Sequence, residues 1–184
     1  DKSSTRLVIL LFLISALLVS YPIIFDPFNL VIGDPQSDIW DHLWGYWRTE
    51  KAFFVDGQFP YKESHMNFPY GGTLYHVDFL NSLFMLPLKW VLGLTVAYNI
   101  LVLLHMALGA FSMYILCLEF VKSKFCAVLS GFAFGFSPYM LTFAVSSGVS
   151  NRLNILWLPL FILMFIRLIE TGKYKYIGFA AIYF

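Results

Sequence analysis

Asp34, Asp38, Asp41 and His42 are four groups able to take up or release a proton, and they fall within nine residues of a chain otherwise poor in charge. They belong to the stretch Gly33-Asp34-Pro35-Gln36-Ser37-Asp38-Ile39-Trp40-Asp41-His42-Leu43-Trp44-Gly45-Tyr46-Trp47-Arg48. A carboxylate beside an imidazole is general acid–base equipment, since each can accept a proton from a hydroxyl or amide as that group attacks. At about 100° per residue, Asp38, Asp41, His42, Gly45 and Thr49 share one face of a helix over residues 37–55. Trp40, Leu43, Trp44, Trp47 and Phe54 share the other. Indole is most comfortable at the headgroup level, so this helix is expected to lie along a membrane surface with its carboxylates turned to water or to the rest of the protein. Pro35 and Ser37 suit its start, as first-turn residue and N-cap. Taken singly the same groups have structural uses: Asp34 or Ser37 as caps, Asp38 against the helix dipole, Asp41 paired with Arg48. The cluster as a whole calls for a common reason, and acid–base chemistry supplies one.

The elements that must position this cluster belong to a membrane. Hydrophobic residues make up 59% of the chain, aromatic residues 20% and charged residues only 12%, with a mean hydropathy of +0.73. Soluble domains carry about 25% charged residues, so an all-α polytopic membrane protein is expected. The net charge of +1 hides a segregation. Asp26, Asp34, Asp38, Asp41, Glu50, Asp56, Glu63 and Asp78 are eight of the eleven acids, and only Arg48, Lys51 and Lys62 accompany them. Residues 26–78 therefore read as one acidic aqueous loop, punctuated by Asp56-Gly57, Pro60 and Pro69-Tyr70-Gly71-Gly72.

Transmembrane spans are expected at 7–25, 95–120, 126–145 and 154–170, with the start of another at 177–184. The segment 79–94 is apolar but short, and it contains Asn81, Pro87 and Lys89. If it crosses, Lys122, Lys124, Lys173 and Lys175 share a side with the acidic loop. If it lies in the interface or re-enters, all four join Lys2 and Arg6, and only Arg152 stands in the short outer connection. The positive-inside rule selects the second arrangement, with the N-terminus cytoplasmic and both 26–78 and 146–154 external. Arg167 then snorkels at the cytoplasmic end. The chain opens at Asp1 and stops inside a fresh apolar run, so it is expected to form the N-terminal part of a longer protein, as a single transmembrane domain over 1–184.

This order of elements resembles the GT-C membrane glycosyltransferases, and within them the catalytic subunits of oligosaccharyltransferases. In that family an Asp early in the first external loop is followed four residues later by His or Asn, as Asp38 and His42 are here. A Pro-x-Gly turn ahead of an apolar segment is matched by Pro69-Tyr70-Gly71. The resemblance implies a GT-C-like helix bundle in the cytoplasmic (plasma) membrane. It implies transfer of a sugar from a polyprenyl-phosphate donor to an acceptor on the outer face. Asp38 would be the base, Asp34 or Asp41 its understudies, and His42 the orienter or second acid–base group. Arg152 is a weaker candidate for a phosphate contact, its alternative being a helix-end residue at the interface. The implied cofactor is a divalent cation, magnesium or manganese, which would fall to Asp38. The family's second external loop carries acids that help hold that metal, whereas Ser146-Ser147-Gly148-Val149-Ser150-Asn151-Arg152-Leu153-Asn154 has none, which points to metal-free transfer. The alternative is a non-catalytic GT-C-like subunit, a scaffold within a larger membrane complex.

The expected partners are membrane lipids, the lipid-linked sugar and, on the scaffold reading, other membrane subunits. Nucleic acid is excluded by the lack of a basic patch. There is no nucleotide-binding loop and no haem signal. His65 and His76 read as loop-surface residues, and His105 as a hydrogen-bonded histidine packed between helices. Cys117 and Cys126 read as small core residues. Gly109, Gly131 and Gly135 are expected to permit close helix packing. Phe132, Phe134, Phe136 and Tyr139 are expected to make core and lipid contacts.

Overall fold

A computed structural model describes residues 2–64, 66–73 and 78–183, and 73% of it is helical. Helix α1 (Lys2–Val19) is followed by a 3-10 turn at Ile23–Phe25, then α2 (Ile39–Phe54). Two short strands, β1 (Lys62–Glu63) and β2 (Gly72–Thr73), pair antiparallel. Then come α3 (Phe79–Leu92), α4 (Leu94–Phe120), α5 (Lys124–Gly135) and α6 (Pro138–Leu141). The chain continues through a π turn at Thr142–Ser146 and a 3-10 run at Ser150–Trp157 into α7 (Leu158–Thr171) and α8 (Lys175–Tyr183). His65 and His76 lie outside the described residues.

Helix α4 and the continuous run Ser150–Thr171 are long and apolar enough to cross a membrane. The pair Lys124–Gly135 and Pro138–Ser146 would make a third crossing, bent by 41°. That bend sits where Pro138, which lacks an N–H and cannot continue α5, opens a new turn capped by the Ser137 hydroxyl. Helix α1 ends at Val19 rather than at residue 25, because the residue before Pro22 is pushed out of the helical region. It is shorter than the sequence suggests.

Side-chain contacts fix the directions of the helices. Lys124 Nζ donates to Ser4 Oγ at 3.1 Å, and Arg167 donates to Glu119 at 2.6 Å. The start of α1, the end of α4, the start of α5 and the end of α7 therefore gather at one end of the bundle. At the other end Asn99, in the second turn of α4, holds the segment after α1. It donates to the carbonyls of Pro27 and Leu30 and accepts from the Ile32 N–H at 2.9 Å. Helix α3 stays at that loop end. Asn81 at its head donates to Asn154, while Lys89 and Trp90 at its tail both donate to Glu50 of α2. Gly93, at φ +83°, then turns the chain into α4.

Small residues bring the helices together. A β-carbon on Gly131 would stand 2.5 Å from the Phe12 ring, and one on Gly135 would stand 2.6 Å from the Ala110 backbone nitrogen. Phe12 is edge-on to Phe132, with ring centroids 5.2 Å apart. Cys117 is half-buried and accepts from the Ser130 hydroxyl. Cys126 is exposed, which corrects the expectation of a core cysteine: it lies in the first turn of α5, at the very end of the helix, where the neighbouring Lys124 and Phe125 are exposed as well.

Two expected results follow from this packing. Gly135→Leu should cost about 1–3 kcal/mol, because the added atoms meet backbone that cannot move aside. Gly178→Leu is its control, since nothing lies within 4 Å of a β-carbon there. Thermal unfolding in detergent checks both, and equal melting temperatures would refute the close packing of α4 on α5. Reporters inserted at Ser123 and Gly71 should register opposite sides of the membrane. Finding both on one side would mean that α3 crosses.

Candidate functional site

The two connections at the loop end close on each other. Gly33 and Gly148 are so near that a β-carbon on Gly33 would stand 2.8 Å from the Gly148 α-carbon. Both have positive φ (+133° and +68°), which only glycine adopts without strain. The Tyr98 hydroxyl donates to the Gly148 carbonyl and the Ser37 hydroxyl to the Ser147 carbonyl. The head of α2 is thereby set directly against the 146–154 connection.

Helix α2 starts two residues later than the sequence suggests. Asp38 is its N-cap, and the Asp38 side chain makes no capping bond. Ser37 is not the cap, its hydroxyl being engaged with Asp34 and Ser147. Asp34 accepts from the Gln36 N–H at 2.9 Å, a local turn contact. Asp34, Asp38 and Asp41 are all exposed. Arg48 does not pair with Asp41. It is buried at 2% exposure and donates to Glu63, to Asp56 at 2.8 Å and to the Lys62 carbonyl, tying the β1 loop to α2. A guanidinium matches several planar acceptors at once, which is why burial is tolerable here. Lys51 and Arg48 together hold the Asp56 carboxyl below its ordinary range, Lys51 first.

The faces of α2 divide differently from the expected split: Leu43 leaves the tryptophan side for the core, and His42 and Thr49 are buried with it, because the inward face packs on other elements rather than on water. Trp40 and Trp47 are 58% and 41% exposed on the outer side. An open cleft of about 410 Å³ lies along that side between Trp47, Glu50, Lys51, Phe54 and Val55. Ile39, Leu43 and Tyr46 pack inward with Ile32, Met85, Tyr98 and Leu153. His42 faces inward too, and it meets a buried polar network that no local sequence pattern announces.

Asp78, the residue that opens α3, is the centre of that network. Its Oδ2 accepts from the hydroxyls of Tyr46 and of Ser150, the latter at 2.7 Å. Its Oδ1 accepts from Asn81 at 2.8 Å and from Asn154 at 3.3 Å. Ser150 in turn lies 3.3 Å from His42 Nδ1. Asn154 Oδ1 faces His105 Nε2 at 3.3 Å, and His105 Nδ1 is bonded to the Leu101 carbonyl, so His105 is a packed, hydrogen-bonded histidine as expected. Three elements distant in sequence, α2, the head of α3 and the 146–154 connection, thus share one carboxylate. Burial lowers the pKa of His42 from its ordinary value, with Asp78, Asp41 and Asp38 opposing. Burial, then the charge of Asp78, pushes the Tyr46 phenol well above its usual range.

The expected site residues are therefore divided. His42 belongs to the buried network, while Asp34, Asp38 and Asp41 stand at the surface of the same helix head. Arg152 is exposed, with its guanidinium 5.9 Å above the Phe143 ring, and it does not join them. Among the described residues no three His, Cys, Asp or Glu side chains are grouped as a metal would need. Tyr46, Asp78, Asn81, Ser150 and Asn154 stand outside the site residues that the sequence suggests. The one local signal is Asp78 with Asn81 three residues on, polar groups opening a largely apolar helix. Comparison with known protein families, curated proteins and solved structures gives no match.

Proposed function

We propose that this chain is a membrane glycosyltransferase of the GT-C type, which moves a sugar from a polyprenyl phosphate to an acceptor at the loop end of the bundle, on the outer face of the cytoplasmic membrane. The observation that carries the reading is the docking of the acidic head of α2 onto the 146–154 connection. It sets exposed carboxylates beside the exposed Trp40 and Trp47, and on this reading that aromatic side lies at the membrane surface, where a lipid-linked sugar presents its anomeric carbon. Asp38 takes the proton of the acceptor hydroxyl as its oxygen bonds to the anomeric carbon. The bond from that carbon to the phosphate oxygen breaks, and the electron pair leaves with the phosphate. Nothing in this step requires a metal, though Asp38 is the group that would contact a divalent cation. A base so placed contributes about 10²–10⁴-fold.

The second reading is a non-catalytic scaffold subunit. It is favoured by the closed character of the network, in which both Asp78 oxygens are bonded to the protein itself. Purified protein in nanodiscs, given a synthetic polyprenyl-phosphate sugar and a simple glycoside acceptor, distinguishes the two. Acceptor-dependent release of polyprenyl phosphate is the expected result, and release no faster than from empty nanodiscs would favour the scaffold.

A further inference from the structure

The end of the bundle away from the loops is basic. It holds Arg6 of α1, Lys122 and Lys124 where α4 passes into α5, Arg167 near the end of α7, and Lys173 and Lys175 at the turn into α8. The acids described there are Glu119 and Glu170, and Glu119 is taken up by Arg167 at 2.6 Å. Lys124 donates to Ser4, and Lys175 lies over the Tyr176 ring at 5.0 Å. Arg6, Lys122 and Lys173 are exposed, and among the described residues none of the three pairs with a carboxylate. The loop end has the opposite character, with Asp34, Asp38 and Asp41 exposed. Charge therefore runs from positive to negative along the bundle.

Apolar surface adjoins these bases. Phe120 and Val121 precede Lys122, Phe125 follows Lys124, and Tyr174 stands between Lys173 and Lys175, all four of them exposed. Both stretches long and apolar enough to cross a membrane, α4 and Ser150–Thr171, end here. Cations within a few residues of the end of such a stretch reach headgroup depth, with their stems along the acyl chains. A soluble anion would satisfy the bases and leave the rings in water, whereas a lipid covers both. We propose that this end of the bundle selects anionic phospholipids. Arg6, Lys122, Lys124, Lys173 and Lys175 hold the headgroup phosphates, and Phe120, Phe125 and Tyr174 meet the chains below them. The bases are spread over α1, the α4–α5 link and the α7–α8 link, so they gather several lipids at the rim rather than enclose one. The exposed acids of the loop end repel the same lipids, which confines the selection to one leaflet, the cytoplasmic one on the expected topology. This selection is the same whether the chain is an enzyme or a scaffold.

Electron spin resonance of the protein in phosphatidylcholine bilayers tests this, with spin-labelled phosphatidylglycerol and phosphatidylcholine as probes. One base near an anionic headgroup is worth about fivefold in affinity, so the lipid held at the protein surface should favour phosphatidylglycerol by about that factor. At about 1 M salt, where the screening length falls to about 3 Å, the preference should disappear. Arg6→Gln, Lys122→Gln and Lys173→Gln together should lower it by at least about twofold, a fraction of what one base can supply. These three side chains hold no carboxylate, so thermal unfolding should stay as in the wild type. Lys62→Gln, which removes an exposed base at the loop end, should leave the preference unchanged. Glycerol 3-phosphate added to the wild type should leave it unchanged too. Equal retention of the two lipids by the wild type would overturn the proposal, and that result needs no variant to fold. A preference that survives salt or the triple change would also overturn it, as would an equal loss in Lys62→Gln. Displacement by glycerol 3-phosphate would assign the bases to a soluble anion instead.

Discussion

Asp78→Ala should cost the protein about 3 kcal/mol or more, the largest stability loss expected of any single change at the loop end. The substitution removes the shared acceptor of Tyr46, Ser150, Asn81 and Asn154 and leaves their donors in place. A buried donor left without its partner costs about 1–3 kcal/mol, and four around one void are not additive but exceed any single one. Asp78→Asn should be far milder, near 1 kcal/mol. An amide can keep its oxygen toward Asn81 and Asn154, while the two hydroxyls rotate to accept from its nitrogen. Thermal unfolding of both variants in the same detergent checks the contrast. If Ala and Asn cost the same, the carboxylate is a solvated group that α3 merely carries, and the network does not join the three elements.

The division between what was legible in the chain and what was not follows the range of the interactions. Local and composition-level signals survive. The apolar lengths mark α4 and the run through α7, the Trp spacing marks the outer face of α2, and Gly131 and Gly135 mark close helix contacts. Helix ends shift where one residue decides them, as Pro22 does for α1 and Pro138 for the bend after α5. The centre of the site was hidden for a different reason. Tyr46 to Asp78 spans 32 residues, and Asp78 to Ser150 spans 72, so no spacing in the sequence brings them together. Ser150 and Asn154 read as ordinary polar residues of a short connection, and only the packing of α2 and α3 on α4 turns them toward Asp78. Arg48 shows the same limit. Its helical neighbour Asp41 was the obvious partner, but Glu63, on a strand beyond the helix, is the one that is buried with it. Function is less legible still, since the acidic head of α2 resembles a family pattern that covers only part of the chain.

Asp38→Asn should lower sugar transfer by at least about 10²-fold while leaving the protein folded and inserted. That factor corresponds to about 2.7 kcal/mol of lost transition-state stabilisation. The geometry makes the test unusually clean on the stability side. Asp38 occupies the N-cap of α2, yet its side chain makes no capping hydrogen bond, and it is exposed. Loss of its charge near the positive end of the helix should cost about 0.3–1 kcal/mol. An amide of the same size keeps the capping capacity and the shape, so what disappears is the ability to take a proton. Asp34→Asn and Asp41→Asn are the matched controls, because both acids are exposed at the same helix head and differ from Asp38 in their distance from His42 along the chain. Asp34→Asn should disturb a single turn contact with Gln36, and Asp41→Asn only the charge of the first helical turn. Transfer rates from a polyprenyl-phosphate sugar, compared at equal amounts of inserted protein, read out the difference. A loss confined to Asp38 assigns it the proton. Equal and mild losses from all three would mean that the cluster acts as a field around the helix head, and the scaffold reading would then hold.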